Sequence, residues 1–191
     1  MSFRNKIAGK IEVWVLRSSI EGESDGIKIC NIRSKDDGFL EIIRASLKLI
    51  QQMDPRRYKT IRNEIDWLVN SNLPDKYGAR YKRSSKSCFI GFDNYSEDKL
   101  HVSAYFAGII VHESTHGVLH SKGVGSDKTR RVQIERICTA EENRFYQKVE
   151  NLYPEYAGSL VHEFDPKDWE YFWNTPKYKR FFHEIMRVFN D

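Results

Sequence analysis

The sequence predicts an α+β fold in which a small antiparallel or mixed sheet precedes an antiparallel pair of long helices. Short segments rich in β-branched and aromatic residues lie in the N-terminal half, as expected for strands. The stretch from Ala104 to His120 then runs as near-continuous apolar sequence, and a second helical pattern extends from Asp127 to about Leu152. An aromatic-rich segment follows, in which Lys177–Phe189 is predicted to be a helix. All 191 residues are expected to form a single domain, 1–191.

Four strands are predicted ahead of the long helices. Ile11–Leu16 and Ile27–Ile32 favour strands because their apolar, β-branched residues are consecutive or alternate with polar ones. The polar, glycine-containing stretch Arg17–Gly26 between them is predicted to be a loop. Ala79–Arg83 and Lys86–Phe92 are predicted to be two further strands joined by a short serine turn.

One helix is clearly predicted between these strands, and one segment is ambiguous. Phe39–Met53 repeats apolar residues every three or four positions, and Asp36 or Asp37 is positioned to cap its start. Pro55 marks the break that follows. The apolar residues of Arg57–Val69 are spaced as in a helix, but the end of this segment, Glu64–Val69, could also be a strand.

Two histidines four residues apart, with a glutamate beside the first, end the apolar run. On a helix, His112 and His116 would have Cβ atoms roughly 5–6 Å apart. Both imidazoles could then reach one cation at the Zn–N distance of about 2.0–2.1 Å. Glu113 would lie beside the open side of the metal, where it can accept a proton from water. The alternative is a core helix whose histidines are only hydrogen-bonded.

A catalytic zinc ion keeps three protein ligands and one exchangeable position, so a third ligand is needed. An extended motif with a glycine and a third histidine is excluded, because Leu119 and Lys122 occupy those two positions. His120 lies one turn beyond His116, but three ligands along one straight helix extend too far to close a tetrahedron. The third ligand is therefore expected on the next helix.

The third ligand is selected by pairing residues that lie equally far along the chain on either side of the loop between the two antiparallel helices. The midpoint of His112 and His116 is position 114, and with the loop centred near Val124 its partner is position 134, next to Glu135. Glu141 and Glu142 would lie about two turns away, on the order of 10 Å. Glu135 also falls on the otherwise apolar, inward stripe of its helix, where a carboxylate needs a partner. Zinc would supply one, and the alternative partner is Arg131, four residues back.

These residues resemble the gluzincin group of zinc metallopeptidases, with His-Glu-x-x-His on one helix and a glutamate on the next. They are still more similar to small uncharacterised bacterial zincins, whose second helix reads approximately Arg-x-Glu-x-x-Cys. The corresponding run here is Arg131-Val-Gln-Ile-Glu135-Arg-Ile-Cys138, and the likeness covers roughly Leu100 to Val149. The group's usual Asn-Glu-x-x-Ser-Asp is absent around Glu135, which leaves the carboxylate that orients a histidine ligand unassigned.

The resemblance implies a zincin-like fold and a functional assignment for each of these residues. His112, His116 and Glu135 would be zinc ligands, and Glu113 would be the general base. In the group, an edge strand above the metal pairs with an extended substrate. Ser87–Phe92 is the candidate for that edge, and the alternative is that it is only a structural strand.

Composition and cysteine usage indicate a soluble protein of the cytoplasm. The net charge of +4 is too small to argue for nucleic acid by itself. The N-terminal segment lacks the apolar core of a signal peptide, and no apolar run approaches the ~20 residues that span a bilayer. Cys30, Cys88 and Cys138 are odd in number and widely spaced, which favours reduced thiols over a disulfide framework.

The function predicted from these observations is that of a zinc-dependent hydrolase, a metallopeptidase acting on peptide or protein substrates. Glu113 would take a proton from the attacking water and pass it to the leaving amine. A residue that stabilises the developing oxyanion is also needed. The candidates are His101, His162, His183 and the tyrosines of the C-terminal third.

Two alternatives belong to other functional classes. The protein could be a catalytically inactive or regulatory zinc-binding protein, in which a fourth protein ligand closes the site. It could also be a nucleic-acid-associated protein that uses the basic residues of the hairpin near positions 80–86. Those residues are Arg80, Lys82, Arg83 and Lys86.

Overall fold

The protein is an α+β structure in which a five-stranded mixed sheet packs against long helices. The computed structural model describes residues 13–33, 38–73, 78–92, 98–124 and 130–167. A short helical segment, α1 (13–18), comes first. The other elements are β1 (Ile20–Ser24), β2 (Ile27–Asn31), α2 (Phe39–Met53), α3 (Pro55–Glu64), β3 (Trp67–Asn70), β4 (Ala79–Lys82), β5 (Ser87–Ile90), α4 (Lys99–Ser121), α5 (Arg131–Leu152) and the 3₁₀ turn Pro154–Tyr156.

The order of strands across the sheet is β1-β2-β3-β5-β4. The two outer pairs, β1 with β2 and β4 with β5, are antiparallel, whereas β2, β3 and β5 are parallel to one another. The sheet is therefore mixed, as predicted. The prediction that Ser87–Phe92 is an edge strand is wrong, because β5 pairs with β3 on one side and with β4 on the other. The edge strand of that hairpin is β4.

The sheet has a different apolar cluster on each face. Successive side chains of a strand point to opposite faces. Cys88 and Ile90 of β5 accordingly belong to the main core with α2, α4 and α5, whereas Phe89 packs with the second cluster. That second cluster contains Leu16 of α1, which is buried together with Cys30, Trp67 and Val69. Helix α1 therefore covers the face of the sheet opposite to the long helices.

The prediction of a strand at Ile11–Leu16 is wrong, since residues 13–18 are helical. Leu16 is 2% exposed, whereas Trp14 is 71% exposed, so the segment buries one apolar side and leaves another in solvent. Strand propensity reflects packing against sheet neighbours and yields to tertiary contacts. Here the contact between Leu16 and the outer face of the sheet decides the conformation.

The predicted loop Arg17–Gly26 is also partly wrong, because it contains strand β1. Strands β1 and β2 form a hairpin whose two-residue turn is Asp25-Gly26, with φ of 47° and 90°. Two consecutive positive φ angles are typical of a type I′ turn, which favours an aspartate-glycine pair. The Asp-Gly dipeptide in front of Ile27 was thus a readable signal for the hairpin. Strand Ile27–Ile32 is confirmed as β2.

Helix α2 is confirmed with the predicted bounds Phe39–Met53. Its N-cap is Gly38, whose φ of 77° is left-handed and favours glycine, and no side chain of the described residues caps this helix. The ambiguous segment after Pro55 contains both predicted elements, because α3 ends at Glu64 and β3 begins at Trp67. Pro55 itself occupies the first turn of α3, where a missing backbone N–H costs nothing.

Asp54 links the start of α3 to α5. Its Oδ1 accepts a hydrogen bond from the backbone N–H of Arg57 at 3.0 Å, and its Oδ2 lies 2.6 Å from Lys148 Nζ. Burial acts to raise the pKa of Asp54, but Lys148 and the capping bond outweigh it and lower the pKa from 3.8. The ionised form is therefore stabilised in the folded protein.

We expect Asp54→Asn to destabilise the fold modestly at neutral pH. Asparagine can still cap the helix, so the loss is that of the ion pair, about 0.2–1 kcal/mol. A lowered carboxyl pKa contributes stability above the ordinary value of 3.8, and this contribution disappears as pH falls through the folded value. Urea denaturation at neutral and acidic pH should show a difference that shrinks in acid. A constant difference would contradict this explanation.

Helices α4 and α5 form the predicted antiparallel pair. Contacts run from Tyr105 with Tyr146 to His116 with Glu135, so later residues of α4 meet earlier residues of α5. Gly108 makes their closest approach possible: a Cβ atom there would lie 2.1–2.3 Å from three atoms of the Tyr146 ring and hydroxyl. Tyr146 is 1% exposed. The spacing of the two helices therefore depends on glycine at position 108.

We expect Gly108→Ala to lower the free energy of unfolding. Overpacking a close-packed core costs about 1–3 kcal/mol, which exceeds the gain in helix propensity of up to about 1 kcal/mol. Thermal or urea denaturation measures the loss. Gly78→Ala is the matched control, because its Cβ would meet atoms only at 3.8 Å and beyond. Equal stability of the two variants would show that Tyr146 can move without cost.

Several predicted features lie outside the described residues. They are the capping residues Asp36 and Asp37, the loop residues Ser126 and Asp127, and the C-terminal helix Lys177–Phe189. Within the described ranges, none of the helices has both the length and the apolar character required to cross a lipid bilayer.

Candidate metal centre

The candidate site lies between α4 and α5, and α4 supplies its first half. Asp98 caps α4 by accepting a hydrogen bond from the Leu100 N–H at 2.9 Å. The helix is buried on most of its surface because apolar residues cover nearly every face. His112 and His116 project from it one turn apart, with ring centroids 5.2 Å from each other. The predicted proximity of the two imidazoles is confirmed.

Glu135 of α5 faces both imidazoles, as predicted. Its Oε2 atom lies 3.4 Å from His112 Nε2 and 3.3 Å from His116 Nε2. This oxygen is buried and forms no hydrogen bond of good geometry with a described residue, although it pairs with both imidazoles. A buried carboxylate oxygen without a hydrogen bond carries a desolvation penalty on the order of 1–3 kcal/mol. A cation between the three atoms would remove that penalty.

The spacing of these three atoms fits a tetrahedral zinc ion. Two ligands at about 2.0–2.1 Å from zinc, separated by the tetrahedral angle, lie about 3.3–3.4 Å from each other. The observed oxygen-to-nitrogen distances are 3.4 and 3.3 Å. Two imidazoles and one carboxylate are also donor types that zinc accepts. The residues of this site therefore fit the ion that the motif implies.

Glu142 supplies the orienting carboxylate that the sequence left unassigned. His112 Nδ1 donates a hydrogen bond to Glu142 Oε2 at 2.9 Å, which leaves Nε2 facing Glu135. The other Glu142 oxygen lies 3.1 Å from the Tyr146 hydroxyl, which also donates to the Tyr105 carbonyl at 2.9 Å. A carboxylate on the far nitrogen orients a histidine ligand and raises its basicity.

The expectation that Glu142 lies too far from the histidine pair is wrong. Glu135 and Glu142 are two helical turns apart and share one face of α5. The flat imidazole of His112 spans the space between them, with one nitrogen toward each carboxylate. The heights of residues along the two helices do not predict this contact, because it depends on how far the side chains of His112, Glu135 and Glu142 extend.

The charges of the site favour a cation. Burial alone would lower the pKa of His112, but the Glu135 and Glu142 carboxylates outweigh it and raise the pKa from 6.5 to about 10. Burial likewise acts to raise the pKa of Glu135, but the two imidazoles reverse this and lower it from 4.5 to about 2. Without metal, the two carboxylates therefore stabilise the cationic form of His112, and the same two negative charges would stabilise a bound cation.

Glu113, the predicted general base, is buried beside the same group. Its side chain is 7% exposed, and it lies close enough to His112 to help raise the pKa of that imidazole. The Glu113 carboxylate also lies near the thiols of Cys88 and Cys138. Glu113 therefore lies beside the first histidine of the pair and near the two thiols.

A fourth donor, Cys138, lies beside the two histidines. One ligand atom from each of His112, His116 and Cys138 falls within 4.8 Å of the other two. Cys138 is one turn from Glu135 on α5, so both project from the same face. Burial, reinforced by Glu135 and Glu113, raises the pKa of its thiol far above the ordinary range. No ligand role was predicted for Cys138 from the sequence, although its spacing of three residues from Glu135 was a usable signal.

The three histidines proposed for the oxyanion lie in different places. His162 borders the site, with Nε2 3.9 Å from Glu142 Oε2. His101 bonds to Ser159 Oγ at 3.2 Å near the start of α4, about 16 Å along the helix from His112. His183 lies outside the described residues. His120 stacks on Tyr81 of β4, with ring centroids 6.3 Å apart.

Two basic side chains of the β4–β5 hairpin make contacts within the protein. The guanidinium of Arg80 lies over the Phe89 ring at 5.7 Å, and Lys86 Nζ donates to the Asn63 carbonyl at 2.7 Å. Arg80 and Phe89 share the face of the sheet that points away from the long helices. Arg80 therefore points away from the candidate metal centre, whereas Arg83 is close enough to His120 that, after burial, its charge helps to lower the pKa of that imidazole.

Comparison of the chain with known protein families, with curated proteins and with solved structures finds no match. The geometry of the site therefore carries the functional argument by itself.

Proposed function

We propose that this protein is a zinc-dependent hydrolase that cleaves peptide bonds, with a zincin-like arrangement of the gluzincin type. The observation that carries the proposal is the position of the buried Glu135 Oε2, which forms no hydrogen bond of good geometry and lies at tetrahedral spacing from the Nε2 atoms of His112 and His116. These three residues would hold the ion. Glu113 beside them provides a base, which a purely structural site does not need.

The chemistry divides between the ion and the protein. Zinc, when bound, supplies Lewis acidity that activates water and polarises a carbonyl group. Glu113 accepts the proton of the attacking water and then transfers it to the leaving amine. Glu142 holds His112 through Nδ1 and so keeps Nε2 directed at the ion. His162 stands beside Glu142, at the border of the site.

Strand β4 supports a peptide as the substrate. It is the edge of the sheet, and its outer side pairs with no other strand of the described sheet. The Tyr81 ring lies over α4 next to Gly117, where a Cβ atom would come within 3.2 Å of it. Position 117 immediately follows His116, so β4 contacts α4 one residue beyond the second histidine of the pair. An extended peptide could add to β4 by backbone hydrogen bonds and present a bond to the site.

The proposal is tested by metal content and hydrolysis measured together. Wild-type protein should contain stoichiometric zinc by elemental analysis and cleave a dye-quenched unfolded protein, and a chelator should abolish cleavage. His116→Ala should lose both properties. His120→Ala is the matched control, one turn further along the same helix, and should keep its zinc. Zinc retention by His116→Ala, or wild-type protein without zinc, would overturn the proposal.

A further inference from the structure

Cys138 differs from the other two described cysteines in what surrounds it. Cys88 belongs to the main apolar core, and Cys30 lies in the second apolar cluster, where its thiol donates to the Leu16 carbonyl at 3.3 Å. Cys138 is completely buried, yet it belongs to neither cluster. The carboxylates of Glu113, Glu135 and Glu142 lie near it instead. Its environment is that of a polar site.

Cys138 is also placed to share an ion with the two histidines. Its Sγ and one nitrogen of each imidazole all lie within 4.8 Å of one another. A zinc ion bound to nitrogen at about 2.0–2.1 Å and to sulfur at about 2.3 Å would bring these atoms to about 3.6 Å. A shift of about 1 Å, which rotation of a cysteine side chain can provide, would close the difference.

We propose that Cys138 is a fourth protein ligand and that the resting metal site is therefore closed. The set would consist of the imidazoles of His112 and His116, the carboxylate of Glu135 and the thiolate of Cys138. Such a set fills a tetrahedron, as structural zinc sites do. Its thiolate favours zinc over magnesium or calcium, which prefer oxygen. Two anionic ligands would also balance the charge of a divalent ion.

This inference rests on the metal centre proposed above and concerns its regulation. A closed site leaves no position for water, so hydrolysis would begin only after one protein ligand has left the ion. Glu135 and Cys138 come from the same turn of α5. A displacement of that turn relative to α4 would move both donors and open the site. Hydrolysis would then begin only when the bound substrate displaces that turn of α5.

Cobalt(II) is the probe that reports on the thiolate directly. Wild-type protein loaded with cobalt should show the near-ultraviolet charge-transfer absorption of a thiolate ligand, together with the intense visible bands of a four-coordinate ion. Cys138→Ser should lose the charge-transfer absorption. Cys30→Ser is the matched control, because Cys30 is equally buried on the other face of the sheet, and it should retain the absorption.

Azide added to the cobalt-loaded proteins tests whether the site is closed. The visible spectrum of the wild type should not respond, whereas that of Cys138→Ala should change as the anion enters the vacated position. Competition with a chelator should show that zinc affinity is about 10–100-fold lower in Cys138→Ala than in the wild type. Loss of a residue that only hydrogen-bonds to a metal ligand already has an effect of this size, so loss of a ligand should have at least the same effect.

Three results would overturn the inference. Bound cobalt without thiolate absorption would show that Cys138 is only a buried neighbour, and the proposed hydrolase would still stand with three ligands. A wild-type spectrum that responds to azide would show that the site is open. Wild-type protein that binds no cobalt at all would remove both this inference and the metal centre on which it rests.

Discussion

We expect Glu113→Gln to abolish hydrolysis while leaving the metal in place. Glutamine has nearly the same shape as glutamate and can stay in the buried position, but it cannot accept a proton. General-base catalysis contributes about 10²–10⁴-fold to a rate, so turnover should fall by that factor. The measurement is the initial rate of cleavage of the dye-quenched substrate at saturating zinc.

Metal content provides the internal control for this variant. Glu113 is not among the three residues proposed above as zinc ligands, so zinc measured by elemental analysis should equal that of the wild type. Glu163→Gln, a neutralised glutamate on the exposed surface, should keep the full rate. If Glu113→Gln also keeps the full rate, Glu113 has no role in proton transfer and another base must be sought.

The second large effect is expected from the two carboxylates that contact His112. Glu135→Ala removes a ligand and should lower zinc affinity by about 100-fold or more. Glu142→Ala removes only the hydrogen bond that orients the His112 ring, so affinity should fall about 10–100-fold. Glu155→Ala, an exposed glutamate beyond α5, should have no effect. Competition with a chelator of known affinity measures all three.

The relative loss of zinc affinity in Glu135→Ala and Glu142→Ala shows which carboxylate binds the ion and which one orients His112. If Glu142→Ala loses more zinc than Glu135→Ala, the carboxylate of Glu142 would be the ligand and Glu135 the neighbour. If both variants match Glu155→Ala, neither carboxylate contacts an ion and the metal centre does not exist. Thermal denaturation of each variant without metal checks that a loss of affinity does not arise from unfolding.

The elements that were predicted correctly are those whose pattern is strong over many residues. Helix α2 repeats apolar positions over four turns, and its bounds agree with the prediction. The histidine pair and Glu135 follow from helix periodicity and from the reversal of direction between α4 and α5. Each of these inferences needs only local geometry and one short connection.

The predictions that failed depend on contacts between distant parts of the chain. Residues 13–18 are helical because Leu16 packs on the outer face of the sheet, which no local pattern reveals. The assignment of β5 as an edge failed because its parallel pairing with β3 joins strands separated along the chain. The Asp25-Gly26 hairpin was missed although the dipeptide is a local signal, and so was Cys138, three residues after Glu135.

The sequence by itself determined the α+β class, the two long helices and three residues that could hold one ion, because helical periodicity and turn position are properties of neighbouring residues. Only the tertiary structure decided that Glu142 holds the far nitrogen of His112 and that the Cys138 thiol lies within 4.8 Å of a nitrogen of each histidine. Both contacts depend on how far side chains of α4 and α5 extend toward each other at the separation that Gly108 permits. That separation is set by side-chain packing between α4 and α5, so it cannot be predicted from the spacing of residues along the chain.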